Sequence, residues 1–220
     1  MMQITVDADL ETRKERMVSE HLLARGIRDA AVVRAMREVP REAFLPPEMA
    51  RLAYEDGPLP IEAGQTTSQP YIVAYMIEAL ELLGKERVLE IGTGSGYAAA
   101  VLSRCVAEVF TVERLVVLAE SARNRLRVLG YHNVTVQLGD GTLGWLEHAP
   151  YDAIVVTAGA PEVPGELLEQ LAPKGRLVIP VGPSLHLQTL LRVRRIAETD
   201  FRREELCSVR FVPLIGEKGW

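Results

Sequence analysis

The sequence predicts an α/β fold: a doubly wound, mostly parallel sheet covered by helices, with a helical extension before it and antiparallel edge strands after it. Three observations lead there. From Arg87 onward short apolar runs alternate with amphipathic stretches, the pattern of buried parallel strands joined by crossover helices. The run Val88-Leu89-Glu90-Ile91 breaks into Gly92-Thr93-Gly94-Ser95-Gly96 and opens a helix at Tyr97. Past Leu187 the pattern becomes apolar–polar alternation, which suits strands with one face in water.

The elements follow in order. Residues 9–25 carry an amphipathic helical pattern that Gly26 ends, in the position favoured for a C-terminal cap. Asp29 caps a second helix over 30–38, closed by Pro40. Residues 41–64 are rich in proline and turn formers and read as irregular, with one short helix near 48–54. A helix over 70–83, closed by Gly84, has Thr67 or Ser68 as a natural N-cap and Pro70 in its first turn. Strands are expected at 88–91, 108–112, 134–138, 153–157 and 176–180, and helices at 97–106, 115–129 and 164–171. Segments 187–194 and 207–212 are expected to return antiparallel at the sheet edge. No repeat or flexible linker interrupts the chain, so it reads as one domain: an extension over 1–84, a ligand-binding core over 85–182, and closing strands over 183–220.

Composition narrows the function. A 220-residue chain that is 48% hydrophobic and 25% charged is an ordinary globular protein. Its net charge of −5 weighs against a nucleic-acid partner, which needs clustered Lys and Arg. The alternation of Arg192 and Arg194 reads as a solvated strand face. The two cysteines, Cys105 and Cys207, lie among apolar residues without metal-ligand neighbours and read as reduced core thiols. Residues 1–16 are dense in charge and lack a signal-peptide core, and no apolar run is long enough to cross a bilayer, so a cytoplasmic protein is expected.

The glycine turn offers bare backbone and free N–H groups to a ligand. A dinucleotide fingerprint would place its third glycine at position 97, where Tyr97 stands; here that glycine is Gly96. With Glu90 ahead of it, the turn resembles the first motif of S-adenosylmethionine-dependent methyltransferases, which share a Rossmann-like sheet. Ligands of such sheets bind beyond the carboxyl ends of the strands. There Glu113 is placed to accept from ribose hydroxyls, and Asp140, before Gly141, from an adenine amine. Plainer readings stay open: Glu113 as a helix cap, Asp140 as an Asp-Gly turn, and Glu113 as the ribose ligand of a dinucleotide dehydrogenase. His21, His132, His148 and His186 read as surface or structural residues, so base candidates are few. A carboxylate acceptor suits that, because it is ionised at neutral pH without a base. The loop Gly64-Gln65-Thr66-Thr67-Ser68-Gln69-Pro70-Tyr71 gathers hydroxyls and an amide that would hold an anionic acceptor.

Together with Arg41-Glu42-Ala43-Phe44-Leu45-Pro46, Tyr151-Asp152-Ala153-Ile154-Val155-Val156-Thr157, Leu177-Val178-Ile179-Pro180-Val181-Gly182 and Val209-Arg210-Phe211-Val212-Pro213-Leu214, these segments closely resemble the protein-L-isoaspartate O-methyltransferase family along nearly the whole chain. The resemblance implies methyl transfer from S-adenosylmethionine to the free α-carboxyl of L-isoaspartyl residues in damaged proteins and peptides. The ester then collapses to a succinimide. It implies Ser68 in the catalytic position, Gln65, Thr66, Thr67 and Val212 toward substrate, and Glu90, Gly92, Thr93, Gly94, Gly96, Glu113, Asp140 and Gly141 toward cofactor. The expected partners are isoaspartyl proteins and peptides, with no metal, nucleic acid or membrane, and a monomer is expected. An edge strand over 209–212 would pair with the main chain of an extended peptide. Two departures stand out: Thr67 where the family has Ile, and Gly159 within a run that is commonly all alanine. Competing readings are a methyltransferase for RNA or a metabolite on the same scaffold, and a relative that binds ligand without turnover.

Overall fold

In the computed structural model, which describes residues 2–184 and 186–220, the chain opens with helix α1 (Met2–Arg16). The helix widens to a π turn at Met17–Leu22 and tightens at Leu23–Arg25, where Gly26 ends it at φ +100°. This start lies earlier than the Asp9 expected from the pattern. Helix α2 (Ala30–Glu38) begins under Asp29, whose carboxylate accepts from the N–H groups of Ala31 and Val32. The segment that follows holds short 3₁₀ turns at Arg41–Phe44, Pro47–Leu52 and Glu62–Gly64 in place of the one expected helix. A two-residue hairpin, β1 (Leu59–Pro60) with β2 (Thr66–Thr67), was not expected; strands so short leave no periodicity to read.

Helix α3 (Pro70–Ala79) stops short of Leu83. Glu81 takes a left-handed φ of +52° and is held by Arg176, Arg192 and Arg194, at 3.4, 3.0 and 2.8 Å. Those ion pairs correct the solvated-face reading of Arg192 and Arg194, which pin the end of α3 to the sheet.

The core then runs β3 (Arg87–Ile91), α4 (Tyr97–Ser103), β4 (Glu108–Glu113), α5 (Val116–Val128), β5 (Val134–Leu138), β6 (Tyr151–Val156), α6 (Gly165–Glu169), β7 (Leu171–Ser184), β8 (Leu187–Arg195) and β9 (Phe201–Val209). The seven strands are ordered β5-β4-β3-β6-β7-β8-β9, with β3 to β7 parallel and β8 and β9 antiparallel. The chain leaves β3 in one direction toward β4 and β5, then returns to its other side with β6. This makes the β3/β6 boundary the switch point where open α/β sheets bind ligands.

Alternation along β3 sends Val88 to one core and Leu89 and Ile91 to the other. The first core lies under α1 to α5, and the second under α6, Trp145 and Leu214. β9 ends at Val209, so the strand expected over 207–212 is displaced toward the N-terminus. Residues beyond Val209 are held outside the ladder: Gln188 accepts from the N–H of Phe211 at 2.8 Å and donates to its carbonyl at 3.2 Å, and the Gly159 backbone bonds to Val212 and Leu214. Cys105 is buried and its thiol is pushed up to about 12 by burial, whereas Cys207 is half-buried on the edge strand. Among the described residues no helix is long and apolar enough to cross a membrane.

Candidate active site

The glycine turn leaves β3 with φ +97° at Gly92 and +54° at Gly94, conformations that favour glycine. A Cβ on Gly92 would meet the Thr157 hydroxyl at 2.4 Å, so side-chain-free backbone is required on steric grounds too. The Gly94 N–H donates to Glu113 Oε2 at 2.9 Å, and Leu115 N–H donates to Oε1 at 3.0 Å. Glu113 therefore locks the turn to the end of β4, and each of its oxygens keeps further acceptor capacity. Beside it opens a cavity lined by Ile91, Gly92, Gly94, Val112, Glu113 and Gly141, with Gln65 and Thr66 on one wall and Leu214 on another. Its placement beyond the strand ends suits a nucleoside ligand.

The other cofactor candidates are placed differently. Glu90 is fully buried beneath the turn and outside the cavity wall. Its Oε2 accepts from the Thr111 hydroxyl at 2.6 Å, and Thr111 in turn meets the Thr93 hydroxyl at 2.6 Å. Burial, with the charge of Glu113 adding to it, pushes the Glu90 carboxyl up to about 8 against the Thr111 hydrogen bond. Its Oε1 has no partner among the described residues. Gly96 serves packing, since a Cβ there would press on Leu126. Asp140 is turned to its own chain: Oδ1 accepts from the backbone and hydroxyl of Thr142 at 2.9 and 2.7 Å, and Oδ2 from Glu217 N–H at 2.7 Å. Burial works to raise its pKa, but those hydrogen bonds outweigh it and hold the carboxyl below its ordinary value. The Asp-turn reading thus describes its contacts, while neighbouring Gly141 lines the cavity.

The hydroxyl loop is held over the turn by Arg41, a residue with no exposed surface. Its guanidinium donates to the carbonyls of Ala53 and Gly57 and, at 3.0 Å, of Ser68. Neither Thr67 nor Ser68 caps α3, whose N-cap is Gln69 without a side-chain cap bond. The Ser68 and Thr66 hydroxyls have no partner among the described residues, leaving both available to a ligand. A cleft between loop and turn is lined by Thr66, Thr67, Ser68, Gly92, Thr93 and Thr157. It continues into an open groove walled by Ser68, Ile72, His186, Phe211 and Val212. His186 is exposed, as its surface reading expects, and lies on the rim of this groove.

Sequence reasoning missed Arg41, Thr157 and Gln188. The sequence offers little signal for the first beyond an arginine at the head of the turn-rich segment 41–64, since its burial shows only in the structure. Thr157 ends β6 at the switch point, where any strand-end hydroxyl merits scrutiny. The family departure at Gly159 has a packing cause: a Cβ there would meet the Gln188 amide at 2.4 Å. Gly159 also donates to the Val212 carbonyl at 2.8 Å and accepts from Leu214 N–H and, at 2.9 Å, from the Trp220 indole.

A family model described as Protein-L-isoaspartate(D-aspartate) O-methyltransferase matches residues 12–219. The chain belongs to this family. A Pelobacter propionicus protein named Protein-L-isoaspartate O-methyltransferase 2 is 70% identical over 210 residues, covering 96% of this chain and 93% of its own. A Geotalea uraniireducens protein named Protein-L-isoaspartate O-methyltransferase 1 is 64% identical over 219 residues, covering 100% of each. A solved protein-L-isoaspartate O-methyltransferase superposes with a TM-score of 0.84 at 33% identity, covering 94% of this chain and 67% of that one. A Plasmodium falciparum relative solved with S-adenosyl-L-homocysteine shares the fold, with a TM-score of 0.75 at 24% identity over 93% of this chain and 97% of its own. The isoaspartate O-methyltransferase family accounts for both the glycine turn and the hydroxyl loop on one scaffold.

Proposed function

We propose that this chain methylates the α-carboxyl of L-isoaspartyl residues in damaged proteins, with S-adenosylmethionine as donor, as a single cytoplasmic methyltransferase domain acting as a monomer. The observation that carries this reading is the continuity of the cavity at the glycine turn with a groove bearing unpartnered hydroxyls. Thr66 and Thr157 line the cavity, the cleft and the groove alike. Bound S-adenosylmethionine supplies an electrophilic methyl on a sulfonium. Glu113 and the backbone of Gly92, Gly94 and Gly141 would hold its nucleoside end. An isoaspartyl α-carboxylate is already ionised at neutral pH, so no proton has to move during transfer. The protein's work is alignment and exclusion of water. Hydroxyls of Thr66 and Ser68 donate to the carboxylate and fix which oxygen faces the methyl. The groove beyond them takes the extended peptide, with Val212 and Phe211 as its wall.

The test pairs two peptides that differ only in isoaspartate or aspartate at one position. Base-labile methyl ester on the isoaspartyl member alone supports the proposal. Methylation of RNA or a small metabolite, or cofactor binding without any transfer, overturns it.

A further inference from the structure

Thr157 ends β6 against the carboxyl end of β3. Its Oγ1 lies 3.1 Å from the Ile91 carbonyl and 2.8 Å from the Gly92 carbonyl. Both partners are carbonyl oxygens, which only accept, so the single hydroxyl hydrogen is committed to them. What the side chain offers elsewhere is therefore lone pairs alone. Its oxygen sits directly over the bare Cα of Gly92, since a Cβ there would fall 2.4 Å away. The residue is half-buried and lines the cofactor cavity, the cleft and the groove. Thr66 is the other residue shared by all three, and its hydroxyl has no partner among the described residues. The two threonines at the meeting point are thus chemically opposite: Thr66 is free to donate, and Thr157 is able only to accept.

We propose that Thr157 is a catalytic residue whose Oγ1 accepts weak hydrogen bonds from the C–H groups of the sulfonium methyl. The inference rests on the reaction proposed above, and it adds how the methyl is recognised. A methyl on positively charged sulfur carries polarised C–H bonds, and an oxygen with its donor hydrogen turned away is a suitable acceptor for them. The same committed hydrogen keeps Thr157 from hydrogen-bonding the incoming carboxylate and drawing it off line. Thr66 and Ser68 are then left as the donors that hold that carboxylate. The product S-adenosylhomocysteine has no such methyl, so the contact discriminates substrate cofactor from spent cofactor.

Binding calorimetry with S-adenosylmethionine and S-adenosylhomocysteine tests this without turnover. Thr157→Val is expected to weaken S-adenosylmethionine roughly two- to fivefold while leaving S-adenosylhomocysteine unchanged. Thr157→Ser, which keeps the oxygen and both carbonyl partners, should retain the parent ratio. Equal loss for both ligands in Thr157→Val would reduce the residue to a structural role, and no change for either would remove it from the methyl site. The unmodified protein gives a second readout independent of how the variants fold. The methyl proton signal of bound ¹³C-methyl S-adenosylmethionine should move downfield of its free position, and its absence there overturns the proposal. Failure of the isoaspartyl peptide assay would strike the reaction instead, because these binding measurements involve no peptide.

Discussion

The floor of the cavity proposed for the cofactor takes Gly92, Gly94, Val112 and Glu113 from two adjacent strands and the turn after the first of them, with Gln65, Thr66 and Leu214 only on its walls. The groove beside it takes Ser68, Ile72, His186 and Phe211 from segments spread over most of the chain, brought together by a buried arginine and a glutamine side chain. The first is shaped by backbone that has little freedom to be anything else. The second depends on side chains that bridge remote segments. This division implies that cofactor affinity and peptide affinity are separable by mutation, and that the groove is the part able to change without disturbing the donor site.

The largest expected effect falls on the cavity floor. Glu113→Gln removes a charged acceptor that holds Gly94 and Leu115, and should weaken S-adenosylhomocysteine about tenfold to a hundredfold by calorimetry. Peptide KM at saturating cofactor should stay near the parent value; a parallel rise in both would break the division. Ser68→Ala probes the other side: kcat should fall about tenfold while S-adenosylhomocysteine affinity stays within about twofold. Unchanged turnover would leave Ser68 only the backbone carbonyl held by Arg41. A smaller effect is expected for Gly159→Ala. A Cβ pressing on the Gln188 amide should loosen the Phe211 clamp and raise peptide KM about threefold, roughly the loss of one hydrogen bond, with kcat little altered.

A separate effect is one of stability, read on its own scale. Glu90 lies under the turn with its carboxyl raised from an ordinary 4.5 to about 8 by burial. A carboxyl raised on folding stabilises fully below its unfolded pKa, and that contribution is lost as pH climbs through the folded one. The parent should therefore lose thermal stability relative to Glu90→Gln between about pH 4.5 and 8, by about 10 °C or more, with parallel curves outside that window. Parallel melting curves across the whole range would place the carboxylate in a more polar setting than its contacts indicate.

What was legible in the sequence follows the same division. Helix α2 lies on residues 30–38 as expected, because Asp29 and Pro40 mark both of its ends locally. Strand β5 lies on 134–138 as expected, and the turn after β3 declares itself by glycine spacing. The end of α3 was illegible because the arginines that hold Glu81 come from β7 and β8, far along the chain. The closing strand was displaced because 207–212 satisfies an extended pattern, and only Gln188 and Gly159 reveal that residues after Val209 are held outside the ladder. Asp140 is expected as a ligand from its place at a strand end, with an Asp-Gly turn as the open alternative, and its bonds to Thr142 and Glu217 match that alternative. Glu90 enters through the resemblance of the turn it precedes, and nothing in the sequence marks it as enclosed beneath that turn. The hydroxyl loop was visible as composition, but its freedom to act depends on Gln69, and neither neighbouring hydroxyl, standing at the start of α3.

The indole of Trp220 is fastened to the carbonyl of Gly159, within a few residues of Val212 and Leu214 on the cavity wall. The chain has two tryptophans, and the other, Trp145, is packed edge-on to Phe110 in the lower core. Two emitters of such different surroundings make the molecule its own optical gauge. Replacing Trp145 with Phe would isolate the emission of the terminal indole, so that nucleoside entry is followed in real time without attaching a dye.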